Sequence, residues 1–350
     1  MEMESNAVIE RDLWYTLGPT SLGKERDLLL SGATGVRLTF GFGTPSLHYE
    51  RAILHRNIAT ELGCKCLIVA DLNGEKFRLG TFEGAPTISV AANTEIHFVS
   101  AERSVSSAEN PQLPIPNQSF FSYLRAGTLL TIGDGAILQV TRVAQDEAYA
   151  QMINDGVLNQ ARGINIQGKE FRPQSLTAKD LRDLDHILST SVYDVVALSF
   201  VSSEDDVLLV KKLAQKAGST IQVLAKVETA AGLENIDAIC RSADIVMAAR
   251  GDLGLSIPWI DLPDAVDRIV YSANSNRTPW ILATQIVEGL EHFAIPTRAE
   301  ICDLAHWLQK GCSGILLSTE TAFGSRPIDA VACTSSMLKR YGQGTGGRAL

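Results

Sequence analysis

A chain of 350 residues is too long for one minimal domain, and it fits either two domains or one large α/β barrel with an insertion. Its net charge of −9, which no run of Lys and Arg offsets, argues against a nucleic-acid partner. No window approaches the roughly 18 consecutive apolar residues of a membrane span, and the chain begins with acidic rather than basic residues, so we expect a cytoplasmic protein without a membrane partner.

The first part of the chain alternates strands with helices. Apolar runs that end on glycine, proline or aspartate predict three strands, and the segments between them predict two helices. In chain order these elements are a strand at 13–19, a helix at 24–31, a strand at 35–43, a helix at 46–62 and a strand at 67–71. A parallel α/β sheet requires this alternation.

Residues 79–170 change to short β-rich pieces that turn residues separate. The clearest pieces are 87–90, 96–99 and 127–135, with prolines and glycines between them. We interpret this segment as a small β domain that is inserted between barrel strands. Such a domain could act as a lid over the carboxyl edge of the sheet.

The alternation resumes after a helix start that Ser175 or Thr177 would cap. Five further apolar runs predict strands at 194–200, 222–228, 244–249, 279–284 and 314–318. Together with the first three strands they make eight strand–helix units, which is the count of a (β/α)8 TIM barrel. The predicted fold class is therefore α/β, a (β/α)8 TIM barrel with an inserted small β domain.

The predicted domain limits follow from these elements. The barrel takes residues 1–78 and 171–340, the β lid takes 79–170, and a glycine-rich, flexible tail takes 341–350. Barrel enzymes place their chemistry on the loops at the carboxyl ends of the strands. Polar side chains recur at these ends, where a packed core would need none: Arg37, Asp71, Arg78, Ser199, Lys226, Glu228, Asp252, Thr284, Ser318 and Glu320.

The candidate active centre is Lys226, Glu228 and Asp252. One apolar strand ends on Lys226-Val-Glu228, and the next ends on Asp252 beside two glycines. Two carboxylates can hold one divalent cation against an anionic substrate, and the lysine can neutralise the remaining charge. The alternative is a structural ion-pair network at the mouth of the barrel. Similarly, the hydroxyl groups of Thr284 and Ser318 could serve catalysis or merely satisfy neighbouring backbone groups.

With these residues in place, the chain resembles the pyruvate kinase family over nearly its whole length. Nine sequence motifs carry the resemblance, in the order of the family and on the predicted strands. They are Thr16-Leu-Gly-Pro, Val36-Arg-Leu-Thr-Phe-Gly-Phe-Gly, Asp71-Leu-Asn-Gly-Glu-Lys-Phe-Arg78, Ile132-Gly-Asp-Gly135, Ala225-Lys-Val-Glu228, Ala249-Arg-Gly-Asp-Leu-Gly254, Ala283-Thr-Gln285, Pro296-Thr-Arg-Ala-Glu300 and Leu317-Ser-Thr-Glu-Thr-Ala322. The C-terminal regulatory domain of the family is not expected, which leaves a homodimer through the barrel open.

The resemblance implies a role for each matched residue. Glu228 and Asp252 would ligate Mg²⁺ or Mn²⁺, and Lys226 would stabilise charge on the phosphoryl group or the enolate oxygen. The backbone near Ala249, Gly251 and Asp252 would bind the substrate carboxylate. Arg37 would bind the phosphoryl group with help from Arg78. The enolate would gain its proton at C3 on the side of Thr284, Ser318 and Glu320.

Departures from the family pattern concern potassium. The chain has Thr39 and Gly41 where potassium-dependent members carry side chains that bind the ion, and it has Leu72 where they carry a threonine. Lys76 replaces a glutamate of the family. Because an ammonium group beside the phosphoryl pocket supplies a monovalent positive charge, the resemblance to potassium-independent members implies that K⁺ is not required.

Further departures concern the region for the nucleotide phosphates. Phe42 replaces a histidine and Phe323 replaces a lysine, and phenyl groups cannot make charge-assisted contacts with a polyphosphate. Thr16, Pro19 and Arg162 are the remaining candidates for this half of the site. The two phenylalanines could pack in a tolerant pocket or form a new apolar wall for a different second substrate.

Three functions remain open from the sequence. The first is phosphoryl transfer from phosphoenolpyruvate to a nucleoside diphosphate. The second keeps the metal and the pyruvate enolate but not the nucleotide, as in a lyase, aldolase or decarboxylase that acts on a 2-oxo acid. The third is a ligand sensor without catalysis, which has no need of Lys226, Glu228, Asp252 and Thr284 together.

Overall fold

The structure is a computed structural model that describes residues 11–133 and 135–342. The acidic start of the chain and residues 343–350 of the predicted tail lie outside these residues. Tyr341, which the sequence analysis assigned to the tail, is instead the last residue of a helix.

Eight parallel strands pair side by side and close into a barrel. The first three are β1 (Asp12–Thr16), β2 (Gly35–Thr39) and β3 (Leu67–Asp71). The inserted segment follows, with β4 (Phe77–Arg78), β5 (Thr81–Glu83), β6 (Thr87–Val90), β7 (Glu95–Ser100), β8 (Arg103–Val105), β9 (Gln112–Ile115), β10 (Leu129–Ile132), β11 (Ala136–Val143), β12 (Glu147–Met152), β13 (Gly156–Asn159) and β14 (Gly163–Ile166). The barrel is completed by β15 (Val195–Leu198), β16 (Gln222–Val227), β17 (Ile245–Ala249), β18 (Trp280–Ala283) and β19 (Gly314–Leu317).

Helices alternate with the strands of the barrel. They are α1 (Glu25–Leu30), α2 (Pro45–Leu62), α3 (Ala178–Leu188), α4 (Glu204–Lys216), α5 (Ala230–Glu234), α6 (Ile236–Ser242), α7 (Arg250–Ser256), α8 (Leu262–Asn276), α9 (Arg298–Gln309), α10 (Thr319–Ala322) and α11 (Pro327–Tyr341), with 3₁₀ turns at Gln118–Tyr123, Trp259–Asp261 and Glu288–Glu291. No helix in the described ranges is long and apolar enough to cross a membrane. Of the two candidate caps for α3, the structure selects Thr177, whose side chain accepts a hydrogen bond from the backbone N–H of Asp180.

The inserted segment forms a separate seven-stranded sheet, in the order β4-β14-β10-β11-β12-β7-β9, with two additional strand pairs. This confirms the predicted TIM barrel with an inserted β unit. Strand β4 pairs with β14, so Phe77 and Arg78 lie in the small sheet although the sequence analysis placed them at the end of the barrel segment. The proposed limits of the domains stay a prediction.

The strand register decides which side chains reach the barrel axis. Successive side chains of a strand point to opposite faces, so residues two apart share a face. The apolar interior of the barrel contains Leu224 of β16 and Val69 of β3. Lys226 and Glu228 follow Leu224 at this spacing, and Asp71 follows Val69, so all three charged groups face the axis at the carboxyl end.

A buried hydrogen-bond pair behind the barrel wall gives the fold a pH dependence. The Tyr15 hydroxyl lies 2.5 Å from His55 Nε2, and His55 Nδ1 lies 2.6 Å from the carbonyl oxygen of Arg51. Because Nδ1 must donate to the carbonyl, Nε2 of the neutral imidazole accepts from the Tyr15 hydroxyl. Burial is the main cause that lowers the pKa of His55, and the Arg51 carbonyl opposes it.

We therefore expect the free energy of unfolding to fall as the pH drops below about 6.5, the pKa of an unperturbed histidine. Below that pH the unfolded chain binds a proton that the folded chain resists, so the stability from neutral His55 is present above it and lost on acidification. Chemical denaturation of the wild type and of His55→Gln between pH 8 and pH 5 measures this effect. The difference in unfolding free energy should shrink towards acid, and parallel curves would contradict the prediction.

Candidate active site

A cleft of about 390 Å³ lies between the carboxyl ends of the barrel strands and the edge of the small sheet. A larger cavity of about 860 Å³ lies at the amino-terminal ends of β3, β15 and β16, on the opposite side of the barrel. We assign the site to the smaller cleft because charged groups from several strand ends converge there. Predicted residues that line the cleft are Arg37, Thr39, Phe42, Asp71, Leu72, Lys76, Arg78, Arg162, Ser199, Lys226, Glu228, Ala249, Gly251, Asp252, Thr284 and Ser318.

Lys226 is the centre of this arrangement. Its Nζ lies 3.2 Å from Asp71 Oδ1 and 3.1 Å from Glu228 Oε1, and it donates a 2.8 Å hydrogen bond to Ser199 Oγ. Burial alone would lower the pKa of Lys226, but the charges of Asp71 and Glu228 outweigh it and raise the pKa. The group is thus a buried ammonium that two carboxylates hold in one place.

Glu228 and Asp252 are the candidate ligands of a divalent cation. Glu228 is buried, and its Oε2 accepts a 2.9 Å hydrogen bond from the backbone N–H of Phe200. Burial raises the pKa of Glu228, while Lys226 opposes the shift. Asp252 is 22% exposed, and both of its oxygens accept from Lys76 Nζ, at 2.8 and 2.9 Å. Burial would raise the pKa of Asp252, but Lys76, together with Lys226 and Arg78, lowers it.

These oxygen donors fit Mg²⁺ or Mn²⁺ in their chemistry. Among residues 11–133 and 135–342 no group of three or more His, Cys, Asp or Glu is placed to hold a metal by itself. Mg²⁺ does not require such a cage, because it is usually bound by one or two carboxylates together with substrate oxygens and water. Glu228 and Asp252 match that pattern, although each carboxylate already contacts a lysine.

Arg37 is held from two sides. Its Nη1 lies 3.5 Å from Asp71 Oδ2, and its Nε donates a 2.9 Å hydrogen bond to Thr16 Oγ1. Thr16 is buried and donates in turn to the carbonyl oxygen of Leu317. Thr16 and Pro19, predicted on the nucleotide side, are not among the residues that line the cleft. Thr16 instead orients the guanidinium group of Arg37.

The strand end at Thr284 is under backbone strain. Thr284 has φ = +70° and Gln285 has φ = +53°, which is unusual for residues with a Cβ and especially for a β-branched one. Two Arg250 hydrogen bonds hold this segment, to the carbonyl oxygens of Thr284 at 2.8 Å and of Gln285 at 3.0 Å. Arg250 also pairs with Asp303 at 2.5 Å. Arg250 carries no signal of this role in the sequence, because its partners are 34 to 53 residues away.

The hydroxyl groups of Thr284 and Ser318 differ in their contacts. Thr284 Oγ1 donates to the carbonyl oxygen of Ala283 and accepts a 2.8 Å hydrogen bond from the N–H of Gly251. The Gly251 N–H, predicted to receive the substrate carboxylate, is therefore already bonded. Ser318 Oγ is buried, and no hydrogen-bond partner for it occurs in the described part of the chain. Glu320 uses both carboxylate oxygens to accept from backbone N–H groups, including those of Ser318 and Ile286.

The part of the cleft that was predicted to bind the nucleotide phosphates is more exposed than the part around Lys226. Phe42 is 64% exposed and its ring lies 5.9 Å from the guanidinium carbon of Arg78. Arg78 donates to the carbonyl oxygen of Ala161, and Arg162 is exposed at the cleft. Phe323 is 65% exposed but does not line the cleft. Of these two phenylalanines, only Phe42 forms part of the wall, beside the guanidinium groups of Arg78 and Arg162.

Together these features define a (β/α)8-barrel protein with a β-sheet insertion and a lysine–carboxylate centre at the carboxyl face. The family model described as the barrel domain of pyruvate kinase matches residues 10–331. The chain belongs to the pyruvate kinase family.

Named relatives agree with this assignment. The chain is 33% identical to pyruvate kinase 2 of Synechocystis over 94% of its own length and 56% of that protein. It is 31% identical to the pyruvate kinase of Thermococcus litoralis over 93% of its own length and 68% of that protein. A crystal structure of pyruvate kinase from Pyrobaculum aerophilum superimposes with a TM-score of 0.82 and 28% identity, covering 98% of this chain and 76% of that one. The comparisons give no support to the alternative of a lyase.

Proposed function

We propose that this protein transfers a phosphoryl group between phosphoenolpyruvate and a nucleoside diphosphate, with Mg²⁺ or Mn²⁺ as the required cation. The observation that carries the proposal is the buried Lys226 ammonium, 3.2 Å from Asp71 and 3.1 Å from Glu228 at the carboxyl face of the barrel. An enolate oxygen develops negative charge during this reaction, and a fixed cation in a water-poor site stabilises such charge without reorganisation.

The other residues take roles that match their contacts. Glu228 and Asp252 would hold the cation, whose chemistry is to neutralise the carboxylate and phosphoryl oxygens of the substrate. Arg37 is oriented by Thr16 and would bind the phosphoryl group. Ser318 has a buried hydroxyl without a partner in the described residues, so it could deliver or accept a proton at C3 of the enolate.

The acceptor side fits an anionic second substrate through guanidinium groups. Arg78 and Arg162 both line this part of the cleft, and Phe42 offers an exposed ring beside Arg78. Arginine binds phosphate oxygens in a bidentate manner. Arg78 and Arg162 therefore replace part of the phosphate contacts that are lost where Phe42 and Phe323 stand in place of a histidine and a lysine. These contacts support a nucleoside diphosphate as the phosphoryl acceptor.

A coupled assay with phosphoenolpyruvate, ADP and Mg²⁺ tests the proposal, and exchange of the C3 protons of pyruvate in D₂O tests the enolate half alone. We expect turnover in the first experiment and metal-dependent exchange in the second. Rapid exchange without turnover on any nucleoside diphosphate would contradict phosphoryl transfer. Absence of both reactions would contradict enolate chemistry as well.

The same assay in the absence and presence of K⁺ tests the role of Lys76. We expect the same rate in both, because the Lys76 side chain lines the cleft and supplies a monovalent positive charge there. Tetramethylammonium at equal ionic strength controls for screening. A rate that rises several-fold with K⁺ alone would show that Lys76 does not replace this ion.

A further inference from the structure

Lys76 forms an ion pair with Asp252, which is one of the two proposed metal ligands. Its Nζ donates to Asp252 Oδ1 at 2.8 Å and to Asp252 Oδ2 at 2.9 Å, so one ammonium group engages both oxygens. The two side chains are only 25% and 22% exposed, which leaves little water to screen the pair. The ring of Phe200 covers one side of the contact, with its centroid 6.0 Å from Nζ.

A divalent cation and this ammonium group need the same oxygens. The two positive charges would repel each other across a distance of a few ångströms in a partly dehydrated cleft. Glu228 does not offer a free alternative, because its Oε1 contacts Lys226 and its Oε2 accepts from the Phe200 N–H. A cation that binds both Asp252 oxygens would therefore compete with Lys76 for them.

We propose that Lys76 is a built-in competitor of the metal, which holds Asp252 in the free protein and lowers its affinity for a divalent cation. The inference rests on the proposed assignment of Glu228 and Asp252 as metal ligands. Lys76 can release Asp252 because it reaches the cleft from the loop between β3 and β4, whereas Lys226 is fixed within β16. A ligand that binds only the released form of a protein has an apparent affinity reduced by the fraction of that form.

Mn²⁺ binding to the free protein, followed by the electron paramagnetic resonance signal of unbound Mn²⁺, tests this competition without any turnover. We expect Lys76→Met to bind Mn²⁺ about tenfold more tightly than the wild type, since methionine has a similar length but lacks the charge. Lys211→Met is the matched control. Lys211 lies 2.7 Å from Asp244 at the amino-terminal end of β17, away from the cleft, so its loss should leave Mn²⁺ affinity unchanged.

The outcomes separate the two proposals. If the wild type binds Mn²⁺ and Lys76→Met binds no more tightly, the competition is overturned while the metal assignment stands. If neither protein binds Mn²⁺, the metal assignment fails and the competition fails with it. An equal gain in affinity in Lys211→Met would show a general effect of net charge and would also overturn the competition.

A measurement on the wild type avoids any effect of the substitution on folding. Acetylation by acetic anhydride, read by peptide mass spectrometry, reports how free each lysine is. We expect Mn²⁺ to increase the labelling of Lys76 several-fold relative to Lys211, because Lys76 must leave Asp252. Unchanged relative labelling at saturating Mn²⁺ would contradict the proposal.

Discussion

Lys226→Met should lower the rate of enolate formation and of phosphoryl transfer by about a thousandfold, the upper range for removal of one group that stabilises an oxyanion. The side chain is buried, and its ammonium lies within 3.2 Å of Asp71 and Glu228. Methionine has a similar length but no charge, so the variant leaves an apolar group where the enolate oxygen would form. Exchange of pyruvate C3 protons and the coupled assay should both lose activity.

The same variant should also lose stability. Removal of one partner from a buried ion pair leaves the other charge uncompensated and costs about 3 kcal/mol or more. Protonation of Glu228, whose pKa burial already raises, should reduce this cost at acid pH. Urea denaturation at pH 8 and pH 5 measures the difference.

A lysine at the other end of the barrel controls for the loss of stability. Lys65 Nζ lies 2.9 Å from Asp12 Oδ1 at the start of β1, and Asp12 is buried. Lys65→Met therefore removes an ammonium from a buried aspartate without entering the cleft. It should keep full activity, and a Lys226→Met variant that retained more than a tenth of wild-type activity would contradict the proposed role of Lys226.

Glu228→Gln should weaken Mn²⁺ binding by about a hundredfold or more, because even residues that only support metal ligands contribute about ten- to a hundredfold. The amide oxygen is a poorer donor than a carboxylate for a hard cation. The fold should tolerate this change better than Lys226→Met, since glutamine can still accept from the Phe200 N–H that now bonds Glu228 and Asp71 still pairs with Lys226. Titration of Mn²⁺ with detection of the unbound ion measures the loss.

A second buried glutamate provides the control for this prediction. Glu25 of α1 is also almost fully buried, but it lies behind the barrel wall near Tyr15 and His55. Glu25→Gln should leave Mn²⁺ affinity unchanged. Equal affinities of Glu228→Gln and the wild type would exclude Glu228 as a ligand, and an equal loss in Glu25→Gln would point to a general effect on the fold.

Much of the barrel could be predicted from local patterns. Buried parallel strands are continuous apolar runs, and each run ends where a charged or small residue reaches the open end of the barrel. Strand β3 begins and ends at the predicted residues, and β16 ends one residue before the predicted Glu228. Strand β4 could not be separated from the barrel segment in this way, because a strand of two residues shows no periodicity. Only its pairing with β14 places Phe77 in the small sheet.

The chemistry of the site was predictable in type but not in its contacts. Lys226, Glu228 and Asp252 could be predicted because they lie at the ends of apolar strands. Period-two alternation alone directs residues 226 and 228 to the same face. That the Gly251 N–H would bond Thr284 could not be predicted, because it depends on the positive φ of Thr284. Backbone strain of this kind arises from surrounding contacts and leaves no pattern in the sequence.

The sequence by itself determined the strand–helix order, the family and the set of charged groups at the carboxyl face, because these depend on local periodicity and on motifs of a few residues. Only the tertiary structure decided which charges meet. Lys76 and Asp252 are 176 residues apart, and Arg250 reaches Asp303 across 53 residues. Closure of the barrel sets such distances, so the ammonium group on the proposed metal ligand could be found only after the strands were assembled.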